Sequence, residues 1–214
     1  MIKFRTIAAG AVLALSLSLG GCISLFPKAA PVQTYRFGVD VASAPAAPQG
    51  VGDAAQVNVL RSVTSFPRAA QSDAILTVTG DQTAYVGGGR WIAPAVVLFD
   101  EAVANAFEAP GGSVRLISRG EIVAATINLK LNVETFEARY SGEKDAAPTV
   151  VIRVRAELLR MTDRHVIGDR TFESRKAAGD NRVDAIVQAF NAALGEVLGQ
   201  LVGWTQAQTA GGAR

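Results

Sequence analysis

Two residue types suited to covalent or acid–base chemistry occur once each in this 214-residue chain, as Cys22 and His165. Cys22 closes the run Leu19-Gly20-Gly21-Cys22, behind an apolar stretch from Ile7 to Leu19 and the basic residues Lys3 and Arg5. That stretch is shorter than the roughly 20 residues a bilayer-spanning helix needs. A basic start, a short apolar segment and small residues are the anatomy of an export signal. His165 ends the turn-forming run Thr162-Asp163-Arg164-His165. A Ser-His-Asp or Cys-His arrangement would rest on this one residue, so it reads as part of a turn and the chain as no enzyme. One histidine and one cysteine cannot build a zinc site, which takes three or four ligands. No cofactor is expected.

Phosphate-binding motifs fail on context. Gly50-Val51-Gly52-Asp53-Ala54-Ala55 has the spacing of a dinucleotide fingerprint, but it precedes a strand instead of joining strand to helix. Gly87-Gly88-Gly89 lacks the Lys-Ser/Thr ending of a phosphate loop and reads as a place for the chain to turn before Trp91.

The Leu-Gly-Gly-Cys run resembles a bacterial lipobox. The resemblance implies diacylation of the Cys22 thiol, cleavage before Cys22 and acylation of the new N-terminus. Each buried CH₂ adds about 0.8 kcal/mol, so two or three chains make a permanent anchor where one is marginal. The implied organisation is a signal peptide at 1–21, a lipidated tether at 22–34, a folded domain at 35–205 and a frayed tail at 206–214. The twelve tether residues after the cysteine reach roughly 40 Å at about 3.3 Å each. Lys3 and Arg5 leave with the signal, so the 21 basic and 19 acidic residues of the precursor become 19 of each. A charge-balanced domain lacks the field of a nucleic-acid binder. No segment after the signal reads as long and apolar enough to cross a membrane.

Periodicity places the elements. Tyr35, Phe37 and Val39 alternate with polar residues as a strand, and Val57, Val59 and Val63 mark a second. Ala74–Thr79 and Gln82–Val86 flank Gly80-Asp81, a hairpin pair. Pro94 suits the first turn of a helix carrying Val96, Phe99, Val103 and Phe107, and Pro110-Gly111-Gly112 ends it. Val114–Ser118 is another strand. Ile127, Leu129, Leu131 and Val133 share a face, and then the apolar phase slips to Phe136, Ala138 and Tyr140. Such a slip needs an extra residue, predicting a β-bulge near Thr135. Val150 to Leu158 alternates against Arg153, Arg155 and Glu157, and Val166–Arg175 is the last strand. Asp180 or Asn181 can cap a closing helix with an apolar stripe from Val183 to Leu201. One-sided alternation favours antiparallel pairing. The expected fold is α+β: a mostly antiparallel sheet of about eight strands with two amphipathic helices on one face, in the order four strands, helix, four strands, helix.

Two groups of residues suit contacts with a partner. Arg90 and Trp91 have the types that dominate binding hot spots, although a Trp beside a helix start usually buries its ring, the reading favoured here. Gly195, Gly199 and Gly203 line the closing helix opposite its large apolar residues, at about 0.8–1 kcal/mol each relative to Ala. They fit either close approach of another backbone (the first helix or a neighbouring subunit) or a small-residue surface in an alanine-rich chain.

Taken together, the lipobox, Tyr35-x-Phe37, Val57-Asn58-Val59 leading to Phe66-Pro67, Gly89-Arg90-Trp91-Ile92-Ala93-Pro94, Leu131-Asn132-Val133-Glu134-Thr135-Phe136 and the terminal Trp204 resemble the ABC-type transport auxiliary lipoprotein component family. The resemblance implies a non-enzymatic lipoprotein working with an ABC ATPase, a permease and an MCE-domain substrate-binding protein. Such systems move phospholipids or other hydrophobic molecules between two membranes. The chain would then be an adaptor on the MCE protein, held to the membrane by its acyl chains and open to homo-oligomer or ring formation. A structural or cell-wall-associated lipoprotein is the competing expectation, disfavoured by the short tether. Ile23 is not the aspartate that retains lipoproteins at the inner membrane in enteric-type sorting. The expected address is therefore the periplasmic face of the outer membrane ahead of the inner one.

Overall fold

The structure, a computed structural model, describes residues 32–38, 56–108, 112–117, 120–143 and 145–211. Cys22 and the expected signal, tether and Ala/Pro loop lie outside them. Among the described residues, eight strands and two helices follow in the expected order: β1 (Gln33–Tyr35), β2 (Val57–Arg61), β3 (Ala74–Thr79), β4 (Gln82–Trp91), α1 (Ala95–Phe107), β5 (Val114–Ile117), β6 (Ile127–Tyr140), β7 (Thr149–Arg160), β8 (Val166–Ala177) and α2 (Val183–Gly211).

The sheet is mixed, which corrects the expectation of a mostly antiparallel one. β6, β7 and β8 form an antiparallel meander, and β3 pairs antiparallel with β4 across the Gly80-Asp81 hairpin. The remaining pairings, β1 with β4, β2 with β5, β2 with β6 and β3 with β6, are parallel. One edge of β6 meets β7 along its length. Its other edge takes β2 at Ile127–Leu129, a bridge to Ser65 at Asn132, and β3 at Ala138–Tyr140. Strands paired on both sides and covered on both faces carry continuous apolar runs. In β3, accordingly, Ile75, Leu76 and Thr77 are all buried.

The bulge falls where the phase slip puts it: the β6–β7 register shifts between Val133 and Thr135. Val133 and Phe136 consequently both point into the core. Phe136 stands at the centre of an aromatic cluster, with ring centroids 5.2 Å from Phe37, 5.3 Å from Phe66 and 5.0 Å from Phe190.

α1 starts at Pro94 with no side-chain cap. Its first amides donate instead to backbone carbonyls of the β2–β3 connection, Ala95 to Ser72 at 2.9 Å and Val96 to Gln71. The orphan donors of a helix start are thus satisfied by tertiary structure. Asp100 on α1 accepts from Arg61 and, at 2.6 Å, from the Thr64 hydroxyl, pinning the helix to the end of β2.

α2 departs from the sequence expectation twice. It runs on past Trp204 to Gly211, with Thr205 and Thr209 buried, where a frayed tail was expected. It is also long and apolar enough, by length and composition, to cross a membrane. Here it is a core helix: Phe190, Leu194, Val197, Leu198 and Leu201 are nearly or fully buried in the cluster that α1 and the sheet share. Isolated hydropathy does not separate these roles, because both bury a long apolar surface.

Candidate partner-facing surfaces

The residues singled out at the β4–α1 junction separate in space. Trp91 ends β4 with 2% of its surface exposed, its ring edge-on to Phe37 at 4.8 Å and to Phe190 at 5.2 Å. It belongs to the core and offers nothing to a partner. Arg90, one residue earlier and therefore on the opposite face, is exposed and pairs with Asp73 at 3.2 Å. The preceding glycines lie within the strand, not in a turn. Gly88 has φ +75°, and a Cβ on Gly89 would stand 2.5 Å from Val183 Cγ1 at the start of α2. Gly89 lets the strand pass under the helix.

The glycine face of α2 is open. Ideal Cβ positions at Gly195, Gly199 and Gly203 have no atom within 4 Å, so close approach of α1 does not explain them. His165 sits in the β7–β8 hairpin, where its N–H donates to Asp163 Oδ1 at 3.0 Å while Arg160 holds the other carboxylate oxygen. Both contacts lower the Asp163 pKa, the backbone amide first. Among the described residues there is no group of three metal-ligating side chains.

The outward face of β6–β8 is a lattice of ion pairs across and along the strands. Arg153 on β7 bridges Glu134 on β6 at 2.9 Å and Glu173 on β8 at 3.2 Å. Arg175 meets Glu173 at 2.7 Å, and Arg155 holds both oxygens of Asp169. The Arg155 hydrogen bond depresses the Asp169 pKa and is itself the main cause of a raised Arg155 pKa. Arg175 does the same to Glu173, helped by the charge of Arg153. On the other side of β8, Glu196 of α2 accepts from Lys176 at 2.6 Å and from Ser174 Oγ at 2.8 Å, which lowers its pKa. The alternating charges were visible in the sequence; their partners were not, because register decides them.

Two further surfaces were missed. Ser62, Val63, Lys130, Asn132 and Arg155 line an open groove of about 510 Å³ where the β2–β3 connection crosses the outer face, with Val63 75% exposed. At the sheet end where β6 begins, the loop holding exposed Ile122 and Val123 adjoins the hairpin holding exposed Met161 and Val166. The Met161 amide donates to the Thr126 carbonyl at 2.9 Å, joining the two segments.

A two-layer module whose prominent features are a charge lattice, an apolar end and an open helix face is equipped for contact. The description "ABC-type transport auxiliary lipoprotein component" matches over residues 35–202, and the chain belongs to that family. Protein XCC0632 from Xanthomonas campestris has a similar crystal structure, with TM-score 0.66 at 27% identity over 74% of this chain and 90% of that one. A second crystal structure, of an uncharacterized protein, matches with TM-score 0.56 at 14% identity over 70% and 92% of the two chains. The hypothetical protein CT253 from Chlamydia trachomatis matches with TM-score 0.51 at 9% identity, over 72% and 98%. The latter two share the fold alone. No curated protein matches the chain.

Proposed function

We propose that this chain is the lipid-anchored, periplasmic auxiliary component of an ABC/MCE-type system that moves phospholipid or another hydrophobic compound between membranes. It works there as a non-enzymatic adaptor. The observation that carries the reading is the family match over 35–202, which spans nearly all of the folded module. A family of auxiliary lipoproteins implies an ATPase, a permease and a substrate-binding protein to assist. The lipobox-like Leu19-Gly20-Gly21-Cys22 run supports acylation at Cys22, and Ile23 supports the outer membrane as its address.

Purification of the tagged full-length chain from solubilised membranes of its own host tests the adaptor role. The MCE-domain protein, with or without its ATPase and permease, is expected in the eluate. Recovery of cell-wall-associated proteins in its place would overturn the transport reading. Cys22→Ser should release the mature protein from the outer-membrane fraction; retention there would refute the anchor.

A further inference from the structure

Asp180 and Asn181 have the residue types that cap a helix, but neither caps α2. Asp180 accepts from the Asn181 amide at 2.6 Å and pairs with Arg182 at 3.0 Å. Asn181 Oδ1 accepts from the Tyr140 hydroxyl at 2.9 Å. The first amide of the helix with a backbone acceptor is that of Ile186, which donates to the Arg182 carbonyl at 3.0 Å. The amides of Val183, Asp184 and Ala185 precede it and have no acceptor among the described residues. Open amides and the positive end of a 29-residue helix dipole together favour an anion.

This helix start borders a cleft of about 460 Å³, within the ~300–1,000 Å³ of small-ligand sites. Thr77 and Thr79 of β3 and Tyr140 of β6 line its sheet side, and Asn181, Arg182 and Val183 line its helix side. Val86 and Gly87 of β4 line it as well, where that strand bows. Ala74 pairs with Arg90 and Leu76 with Tyr85, so Val86–Gly89 stand against Ile75 alone.

Thr77 decides what the cleft can hold. It is only 8% exposed, and its hydroxyl has no partner among the described residues. None of the described side-chain N or O atoms is both fully buried and unpaired, so this hydroxyl opens into the cleft. A hydroxyl kept largely from water is costly unless a ligand supplies its partner. Burial raises the Tyr140 phenol above its ordinary value, so it keeps its proton and donates it to Asn181. The groups left over are mainly donors: the Thr77 hydroxyl, the Asn181 NH₂ and the three backbone amides. Asp180 and Asp184, both more than half exposed, lie 3.0 and 3.8 Å from Arg182, and neither lines the cleft. Donors from a strand, a helix start and a guanidinium border different sides of the cleft. That suits a tetrahedral oxyanion better than a planar carboxylate.

We propose that this cleft binds a phosphate group, held by the amides at the start of α2, the Thr77 hydroxyl and Arg182. Free phosphate and the phosphate ester of a lipid headgroup share that chemistry. The site rests on these donors and is independent of the transport reading.

Equilibrium dialysis of the full-length chain in a phosphate-free maltoside detergent tests it. The probes are radiolabelled orthophosphate, short-chain phosphatidylglycerol and, as a control, a glucoside carrying the same acyl chains. Saturable binding of orthophosphate that exceeds that of phosphatidylglycerol assigns free phosphate. Saturable binding of phosphatidylglycerol but not of the glucoside assigns a headgroup. Thr77→Val and Arg182→Gln should each weaken the bound probe about tenfold or more, as loss of one charge-assisted hydrogen bond does. Thr77→Ser should retain binding. Thr77→Val should leave the Tm undiminished, because the hydroxyl it removes has no partner in the free protein, and circular dichroism melts check the fold of every variant. The proposal is overturned if neither orthophosphate nor phosphatidylglycerol binds saturably, if the glucoside binds as well as phosphatidylglycerol while orthophosphate does not bind, or if binding is unchanged in Thr77→Val and Arg182→Gln.

Discussion

The inner and outer faces of β6, β7 and β8 come from the same strands, yet they are held together differently. Inward residues such as Leu129, Leu131, Phe136, Ile152, Val154 and Phe172 are at most 2% exposed and pack against α2 and one another. Outward residues include Arg, Glu and Asp in ion pairs that run both across and along the strands, mostly at 2.7–3.2 Å. Burial of apolar area contributes about 1.5–3 kcal/mol for a large side chain, whereas an exposed ion pair contributes about 0–1 kcal/mol. The inner face therefore supplies most of the stability, and the outer face keeps the sheet soluble while its charges favour one register. Val151 shows how far the division extends. It occupies an outward position opposite Glu137 and Arg175, yet it is 1% exposed. Long charged side chains cover apolar neighbours with their aliphatic stems.

The contrast can be broken most strongly from within. Phe136→Ala removes the hub of the aromatic cluster and should cost about 3–5 kcal/mol in denaturant unfolding; a loss below ~1 kcal/mol would mean that the cluster does not organise the core. Gly89→Ala forces a methyl against Val183 and should cost about 1–3 kcal/mol as overpacking, with recovery in the Gly89→Ala/Val183→Ala pair. An equal loss in the double variant would point to the Tyr35 ring, 3.3 Å from the same Cβ position, as the obstruction.

Smaller effects are expected where side chains meet water. Gly199→Ala meets open space and should stabilise α2 by about 0.8–1 kcal/mol through helix propensity, read as a higher Tm. Destabilisation would show that something packs on that face.

The exposed ion pairs, those of the outer lattice together with Asp163 in the hairpin and Glu196 on α2, should give the smallest change, and it should appear as a pH dependence. Asp163, Asp169, Glu173 and Glu196 all have folded pKa values below their ordinary ones. Between the folded and unfolded values the unfolded chain binds more protons, so stability rises with pH there. The contribution is complete above the ordinary carboxylate range, near 4, and is lost as pH falls through the lower folded values. Thermal melts from neutral to acid pH should show this fall, reduced at high salt. A Tm that rose on acidification through that range would contradict the assigned pairings.

Much of the fold was legible in the residues because it is local. The slip from Val133 to Phe136 announced the bulge, Gly80-Asp81 the hairpin, and the stripe from Val183 to Leu201 the covering helix. The candidate contact surfaces were less so. Arg90 and Trp91 are adjacent and equally suited to contacts by type, but one faces solvent and the other the core. A free strand edge has no compositional signature at all, since it consists of backbone groups that every non-proline residue carries.

By itself, then, the order of residues determined periods, faces and element types. Tertiary structure decided that four strand pairings run parallel, that α2 lies in the core, and that β8, among the described residues, pairs only with β7. The physical reason is the range of the interactions. Side-chain alternation follows from backbone geometry over a few residues, whereas the neighbour chosen by a peptide group depends on how distant segments share one core.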